Sequence, residues 1–263
     1  MSDETPSKNG TVLVTGGTGT LGRHLVPLLE ADGHEICILS RHAPTTARVE
    51  HATADLLKDE GVEAAVSGVD TIVHLAGGPK GDDTATGNLV RAAKSAGVRH
   101  IVYISVIASD AVPLGYFRSK FGAEKEIEQS GIPWTTLRAA QFHDLTLSTV
   151  RAMAKLPIVP APGGVRWQPV DSRDVAERLA ELTLGHPAGR VADLAGPTVY
   201  SLADLTRSYL RARGKRRPFL PVRVPGKMGR AYRSGANLTL DGAGISKRTW
   251  EDFLAEQVSA GRE

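Results

Sequence analysis

Short apolar runs alternate with helix-patterned stretches through the first half of the chain. The runs are Thr11–Thr15, Glu35–Leu39, Val49–Ala52, Thr71–Leu75, His100–Ser105 and Trp134–Leu137. Between them lie the helical patterns Leu21–Ala31, Glu60–Ser67, Thr84–Ala96 and Lys120–Gln129. Alternation of this kind predicts an α/β fold, a doubly wound parallel sheet with helices on both faces. Gly33, Gly68, Gly97 and Gly131 stand where each helix should close or the next strand open. After Leu137 the pattern loosens. Prolines in Leu156–Gly164 lack the N–H that a helix interior needs. Helices are expected at Arg173–Leu184 and Leu202–Arg213, with Ser172 and Ser201 as N-caps. A short strand is expected at Val191–Leu194, extended chain at Pro218–Pro225 and a last helix at Thr249–Gln257.

The first strand runs into Thr15-Gly16-Gly17-Thr18-Gly19-Thr20-Leu21-Gly22 and then directly into a helical pattern. Strand, glycine turn, helix is the context of a dinucleotide fingerprint. Gly16 would allow the sharp turn, Gly19 the approach of a pyrophosphate, and Gly22 the packing of helix on strand. The helix N-terminus would face the phosphates. This predicts a Rossmann domain over residues 9–145 and a small C-terminal substrate lobe over residues 146–263, with about 168–200 returning to the Rossmann core. The lobe is expected over the C-terminal ends of the strands, where ligands bind in such sheets.

The second strand ends Leu39-Ser40-Arg41-His42, without the acid that would bind a ribose 2′-hydroxyl. Arg41 can fork onto a 2′-phosphate and Ser40 can donate one more hydrogen bond, which favours NADP(H) over NAD(H). Arg41 as an ordinary surface arginine is the alternative. Asp55 either accepts from the adenine amino group or caps the next helix. Ala76-Gly77-Gly78 ends the fourth strand, either as a backbone surface for the cofactor or as a plain turn.

Tyr116 and Lys120 are four residues apart, so on a helix they share a side. A cation beside a phenol lowers its pKa, and the phenol can then protonate a carbonyl oxygen as hydride reaches the carbon. Ser105 would hydrogen-bond the same oxygen, with Ser109 as a weaker substitute. The alternative is a tyrosine packed on a lysine stem. His143 is either a proton donor or a histidine bonded to a carboxylate such as Asp144.

Composition narrows the classes. The 263 residues suffice for a real core, and no apolar run reaches the length of a membrane span. Met1–Gly10 is polar and reads as a lead-in without a signal-peptide core. One cysteine, Cys37, excludes an internal disulfide and a thiolate zinc cluster, and points to a reducing cytoplasm with Cys37 as buried filler. No metal-ligand spacing and no esterase elbow is present. The net charge is +3, yet Leu205–Leu240 contains no acid and ten Lys or Arg. A solvated basic face is the favoured reading of that stretch. An anionic substrate, an acidic protein partner or nucleic acid are the sharper ones. Prolines and glycines interrupt the basic residues and no helix among them presents a reading face to a groove, so nucleic acid is disfavoured.

The glycine turn, Asp55-Leu56, Tyr116-x-x-x-Lys120 and Thr136-Leu137-Arg138 resemble the short-chain dehydrogenase/reductase superfamily. Lys120-Phe121-Gly122-Ala123-Glu124, Ser130 through Arg138 and Pro169-Val170-Asp171-Ser172-Arg173-Asp174-Val175-Ala176 resemble its atypical, NmrA-like branch. The resemblance implies that Thr18, Gly19, Thr20 and Leu21 line the pyrophosphate. It implies that Lys120 holds the nicotinamide ribose and that Ala139, Ala140, Gln141 and Phe142 border the ring. The short Ser105-Val106-Ile107-Ala108 departs from the longer Ser/Thr run of extended-type reductases. Some NmrA-like proteins only sense the redox state of the cofactor. The expectation is a cytoplasmic NADP(H)-dependent oxidoreductase acting on a small apolar carbonyl compound or quinone, with Trp167, Phe142 and Tyr232 as walls. The competing expectation is a non-catalytic sensor that binds a partner through its basic stretch.

Overall fold

The computed structural model describes residues 10–42, 49–239 and 242–260. Apart from Gly10, the polar lead-in lies outside them. Along the chain run β1 (Thr11–Thr15), α1 (Gly22–Ala31), β2 (Glu35–Ser40), β3 (Glu50–Thr53), α2 (Val62–Ala65), β4 (Thr71–His74) and α3 (Asp82–Ala96). There follow β5 (His100–Val106), α4 (Gly115–Gln129), β6 (Trp134–Ala139), α5 (His143–Ala154), β7 (Val159–Pro162), β8 (Arg166–Trp167) and α6 (Ser172–Leu184). The last elements are β9 (Gly189–Arg190), β10 (Leu194–Ala195), β11 (Tyr200–Ser201), α7 (Leu202–Ala212), β12 (Phe219–Val222), α8 (Gly226–Ser234), β13 (Gly244–Ile245) and α9 (Trp250–Ala260). No helix among the described residues is long and apolar enough to cross a membrane.

The chain forms two interleaved compact units. The first takes the described residues up to Ser105, then Ser119–Leu137 and Ala176–Val191. The second takes Val106–Arg118, Arg138–Val175 and the rest from Ala192.

In the first unit β1 pairs in parallel with both β2 and β4, Val12 lying opposite Ile36 on one side and Thr71 on the other. Strand order therefore reverses at β1, and the crevice outside the ends of β1 and β4 is the switch point of a doubly wound sheet. The first unit adds β3 beside β2, β5 beside β4 and β9 beside β6. In the second unit Ala139, the last residue of β6, pairs with Leu194 of β10, which pairs with β13. Nine strands thus form one parallel sheet in the order β13-β10-β6-β5-β4-β1-β2-β3, with β9 off β6. Val12, Leu13 and Val14 are at most 2% exposed, as strands covered on both faces must be. Leu13, Ile72, Ile101 and Tyr103 pack with Leu89 of α3 and Ile127 of α4 in one core. Cys37 belongs to this core, and burial, followed by the Glu50 carboxylate, pushes its thiol up.

The second unit has its own core, Leu147 and Val150 of α5, Leu202 and Leu205 of α7, and Trp250, Phe253 and Leu254 of α9. The proline-rich segment forms β7, which pairs in parallel with β12. Ser201 caps α7 by accepting the Asp204 N–H at 3.0 Å, as its sequence position predicts. Asp174 accepts the N–H groups of Lys247 and Arg248 and pins the approach to α9.

Several boundaries differ from the sequence reading. The helix expected over Glu60–Ser67 shrinks to the single turn of α2 after Gly61, which has φ 73°. α4 begins at Gly115, five residues earlier than its apolar periodicity shows. α5 and α8 lie outside the helices read from the sequence. α5 buries Leu147 and Val150 in the second core, and α8 ends at Gly235, which has φ 77°.

Candidate functional site

The glycine turn is built by backbone packing on backbone. Gly16 has φ 70°, and a Cβ there would stand 2.9 Å from the Ala76 nitrogen at the end of β4. A Cβ on Gly22 would come within 2.4 Å of the Gly17 Cα, and one on Gly17 within 2.9 Å of the Ile38 side chain. These glycines are required by the fold alone. Gly19 is different: a Cβ there meets only the Gly16 carbonyl, at 3.2 Å, and otherwise open space. Thr18 and Gly19 are exposed and Thr20 is half-buried, whereas Leu21 is buried. The turn is thus rigid beneath and open above, which suits a pyrophosphate at the N-terminus of α1.

Beyond β2 lies a cavity of about 530 Å³ lined by Arg41, His42, Thr53, Ala54, Asp55, Lys58, Glu60 and Gly61. Arg41 and Asp55 thus share one cavity. Lys58 and His42 join them, which the sequence reading missed. Asp55 also has a local duty. Its Oδ1 accepts the N–H groups of Leu57 and Lys58 at 3.0 and 3.2 Å, so it caps the turn after β3. It does not cap α2, whose N-cap is Gly61. Ser40 donates to the His42 carbonyl at 2.7 Å, so its hydroxyl proton is used locally. Leu56 belongs to the hydrophobic core, and its carbonyl accepts from Asn88 at 2.8 Å.

A buried polar cluster stands behind the turn. The Thr15 Oγ1 accepts the Ala76 N–H at 3.1 Å and lies 2.7 Å from His74 Nδ1. His74 Nε2 lies 2.9 Å from Thr86 Oγ1 on α3. Burial first, and the charge of Lys120 second, push the His74 imidazole down to about 3, so it is neutral at ordinary pH. The ring stacks on Tyr103, and Lys120 Nζ lies 5.2 Å from the centre of the same phenol ring. Lys120 is 5% exposed, and Nζ is 3.1 Å from Asp82 Oδ2. Gly78 donates its N–H to Asp82 Oδ1 at 2.7 Å. A Cβ on Gly77 would fall 2.8 Å from Lys120 Nζ. The missing side chain at Gly77 therefore makes room for the lysine. Ser105 is buried and donates to Glu124. Its one proton is committed, which leaves it an acceptor where the sequence reading expected a donor.

The remaining expected residues belong to the second unit. Tyr116 stands in the first turn of α4, one turn before Lys120, and is 38% exposed, its ring edge-on to Phe117. Ala139 and Ala140 are buried, and the Ala140 N–H bonds the Leu194 carbonyl at 2.9 Å. Gln141 and Phe142 are half-buried, and Gln141 Oε1 is shielded from solvent with no hydrogen-bond partner among the described residues. His143 is fully buried. Its Nε2 lies 3.2 Å from the Pro169 carbonyl and its Nδ1 3.5 Å from Asp171. It is a core histidine between Trp250 and Phe253, and its carboxylate is Asp171, not Asp144, which accepts from Ser172. Burial would raise the Asp171 carboxyl. Hydrogen bonds from the Arg173 guanidinium and N–H outweigh it and hold the group well below the usual carboxylate range. Trp167 packs against the second core rather than standing free as a wall, and burial pushes the Tyr232 phenol up. In the basic stretch Arg207 pairs with Asp204 and lies over Phe219, while Arg211, Arg213, Lys215, Arg216 and Arg217 are exposed.

The sequence model of a family described as NAD(P)H-binding matches residues 16–184, the span that holds the turn, the cavity and Lys120. This chain belongs to that NAD(P)H-binding family. Over 213 residues it is 30% identical to a (4-alkanoyl-5-oxo-2,5-dihydrofuran-3-yl)methyl phosphate reductase of Streptomyces griseus, covering 78% of this chain and 74% of that one. Over 215 residues it is 27% identical to quinone oxidoreductase 2 of Escherichia coli, covering 78% and 75%. The solved structure of that NADPH-dependent quinone oxidoreductase with NADPH matches with a TM-score of 0.78 at 22% identity, over 96% of this chain and all of the other. The chain thus shares its Rossmann-type fold with that structure.

Two outcomes follow from this geometry. Gly19→Val is expected to keep the circular dichroism of the parent and lose NADPH binding, while Gly22→Val loses the fold. Retained binding in folded Gly19→Val would contradict the open-turn account. Second, the unfolded chain takes up a proton on His74 near pH 6.5, but the folded chain does so only near pH 3. Stability should therefore fall as pH drops below about 6.5. His74→Asn should show a shallower fall in urea unfolding between pH 7 and 4.5, and an unchanged slope would show His74 to be charged in the folded state.

Proposed function

We propose that this chain is an NADP(H)-dependent oxidoreductase that moves a hydride between the cofactor and a small, largely apolar carbonyl compound or quinone. The observation that carries the cofactor choice is the cavity beyond β2, where Arg41, His42 and Lys58 gather three side chains able to meet a 2′-phosphate. The relatives named as reductases support the reaction class.

When bound, the reduced cofactor supplies hydride to the substrate carbon. The residues of the chain supply the rest. The turn at Gly16–Gly22 receives the pyrophosphate on its open side at Gly19. Lys120 would hold the nicotinamide ribose, and Ala139, Ala140, Gln141 and Phe142 would border the ring. Tyr116 gives its phenolic proton to the substrate oxygen, so hydride and proton together turn a carbonyl into an alcohol or a quinone toward its hydroquinone. The position of Tyr116 in the first turn of α4, ahead of a buried lysine, supports that role. Ser105 does not donate to the substrate oxygen in this scheme, because its hydroxyl donates its hydrogen bond to Glu124. The setting is a reducing cytoplasm, where the buried Cys37 stays a thiol.

The test mixes purified protein with NADPH or NADH and a panel of ketones and quinones, following the absorbance of the reduced cofactor. Turnover with a preference for NADPH is expected, and Arg41→Ala should narrow that preference. Equal affinities in the parent would overturn the cofactor choice. Tyr116→Phe should lower kcat by about 100-fold, the scale of a lost general acid, with little change in cofactor affinity. NADPH binding with no turnover on any substrate would favour the sensor reading instead.

A further inference from the structure

We infer that Asp82 is a positioning residue of the cofactor site: its carboxylate, shared between the Gly78 N–H and the Lys120 ammonium, fixes where that ammonium sits. The inference rests on the reading of Lys120 as the residue that holds the nicotinamide ribose. Asp82 opens α3 directly after Gly81, whose φ of 81° turns the chain into the helix. It is 5% exposed. One oxygen accepts from Gly78 at 2.7 Å and the other lies 3.1 Å from Lys120 Nζ. Its own N–H bonds Ser119 Oγ at 2.9 Å, and that hydroxyl donates to Asp83 at 3.1 Å. The start of α3 is thus tied to Ser119 and Lys120, neighbours in sequence on α4. The same carboxylate reaches back to the glycine turn after β4. Two segments expected to touch the cofactor, Gly77-Gly78 and Lys120, are joined through one acid.

The physical need is clear from the surroundings. A buried ammonium is costly unless a counter-charge and hydrogen bonds replace its water. From β4 the neighbouring group is His74, which is neutral and offers no charge. From β5 it is the Tyr103 ring, which gives a cation–π contact at 5.2 Å. Ser105 of β5 and Glu124, one turn further along α4, bond each other. On α4 Tyr116 stands one turn before, and on α3 Asp83 is engaged by Ser119. Asp82 supplies the carboxylate at ion-pair distance. The close fit of both groups against Gly77, where a Cβ would stand 2.8 Å from Nζ and 3.0 Å from Asp82 Oδ2, leaves the pair little freedom to move.

Asp82→Asn keeps shape and an acceptor for Gly78 while removing the charge. Without its counter-charge, the folded variant should release the Lys120 proton more readily than the unfolded chain does. Relative to the parent, its stability without cofactor should then rise between pH 7 and 9.5, because the unfolded state binds more protons there. Asp82→Asn/Lys120→Met should lose that rise. NADPH affinity of Asp82→Asn should fall by about tenfold or more at pH 7, because the ammonium is no longer held in one place. It should fall further toward pH 9, whereas the parent changes less. Asp82→Glu should recover part of it. If Asp82→Asn does not fold, Lys120→Met carries the test. It leaves Asp82 as the unpaired buried charge, so stability relative to the parent should rise as pH falls from 7 to 5. A flat difference from the parent in the pH series of whichever variant folds would overturn the proposal, as would parent-like NADPH affinity in Asp82→Asn. Failure of the parent to bind NADPH would overturn the functional reading instead, and the stability series would still report on the pair.

Discussion

Backbone packed on backbone at the ends of β1 and β4 is the constraint on which the first unit depends. Gly16, Gly17 and Gly22 each stand where a Cβ would collide with neighbouring main chain or with Ile38. The collision would be with buried strands, so the neighbours cannot move aside cheaply. This close approach puts the N-terminus of α1 directly over the sheet ends and leaves Gly19 as the open position. The turn owes its shape to the fold, which leaves Gly19 as its open position.

Behind that turn the polar groups form a connected set. Thr15 links the end of β1 to His74 and to the Ala76 N–H, and His74 continues to Thr86 on α3. Buried polar networks hold one geometry only when their members are satisfied. A neutral His74 suits the place, because a second positive charge beside Lys120 would repel it. The positive charge of the region is then concentrated on Lys120 and answered by Asp82. The same logic recurs in the second unit, where His143 is enclosed by aromatic rings and Asp171 is answered by Arg173.

Much of this was legible in the sequence. The glycine spacing with its flanking strand and helix located the turn, and the β-branched runs located the six longer strands of the parallel sheet. Arg41 was singled out because no acid follows the second strand, and it lines the cavity beyond β2. Other features left no local signal. Asp82 and Lys120 are 38 positions apart, and nothing in either neighbourhood marks them as a pair. His74 looks like any strand-terminal histidine until Thr15 and Thr86 close around it. Ser105 could be placed at its strand end, but not its bond to Glu124. His143 read as a candidate beside the ring because its burial depends on Trp250 and Phe253, more than a hundred residues away. Local pattern records propensity and period, whereas these pairings are set by topology.

The central claim is that the glycine turn, the Gly77-Gly78 segment and the Arg41 cavity together receive one NADP(H). Hydrogen exchange read by mass spectrometry, with and without saturating NADPH, tests it most directly. The account predicts slower exchange in peptides spanning Gly16–Gly22, Ala76–Gly78 and Thr53–Lys58. It predicts little change in peptides from Arg211 to Arg217. Unchanged exchange in the glycine-turn peptides at a concentration where NADPH is bound would contradict it.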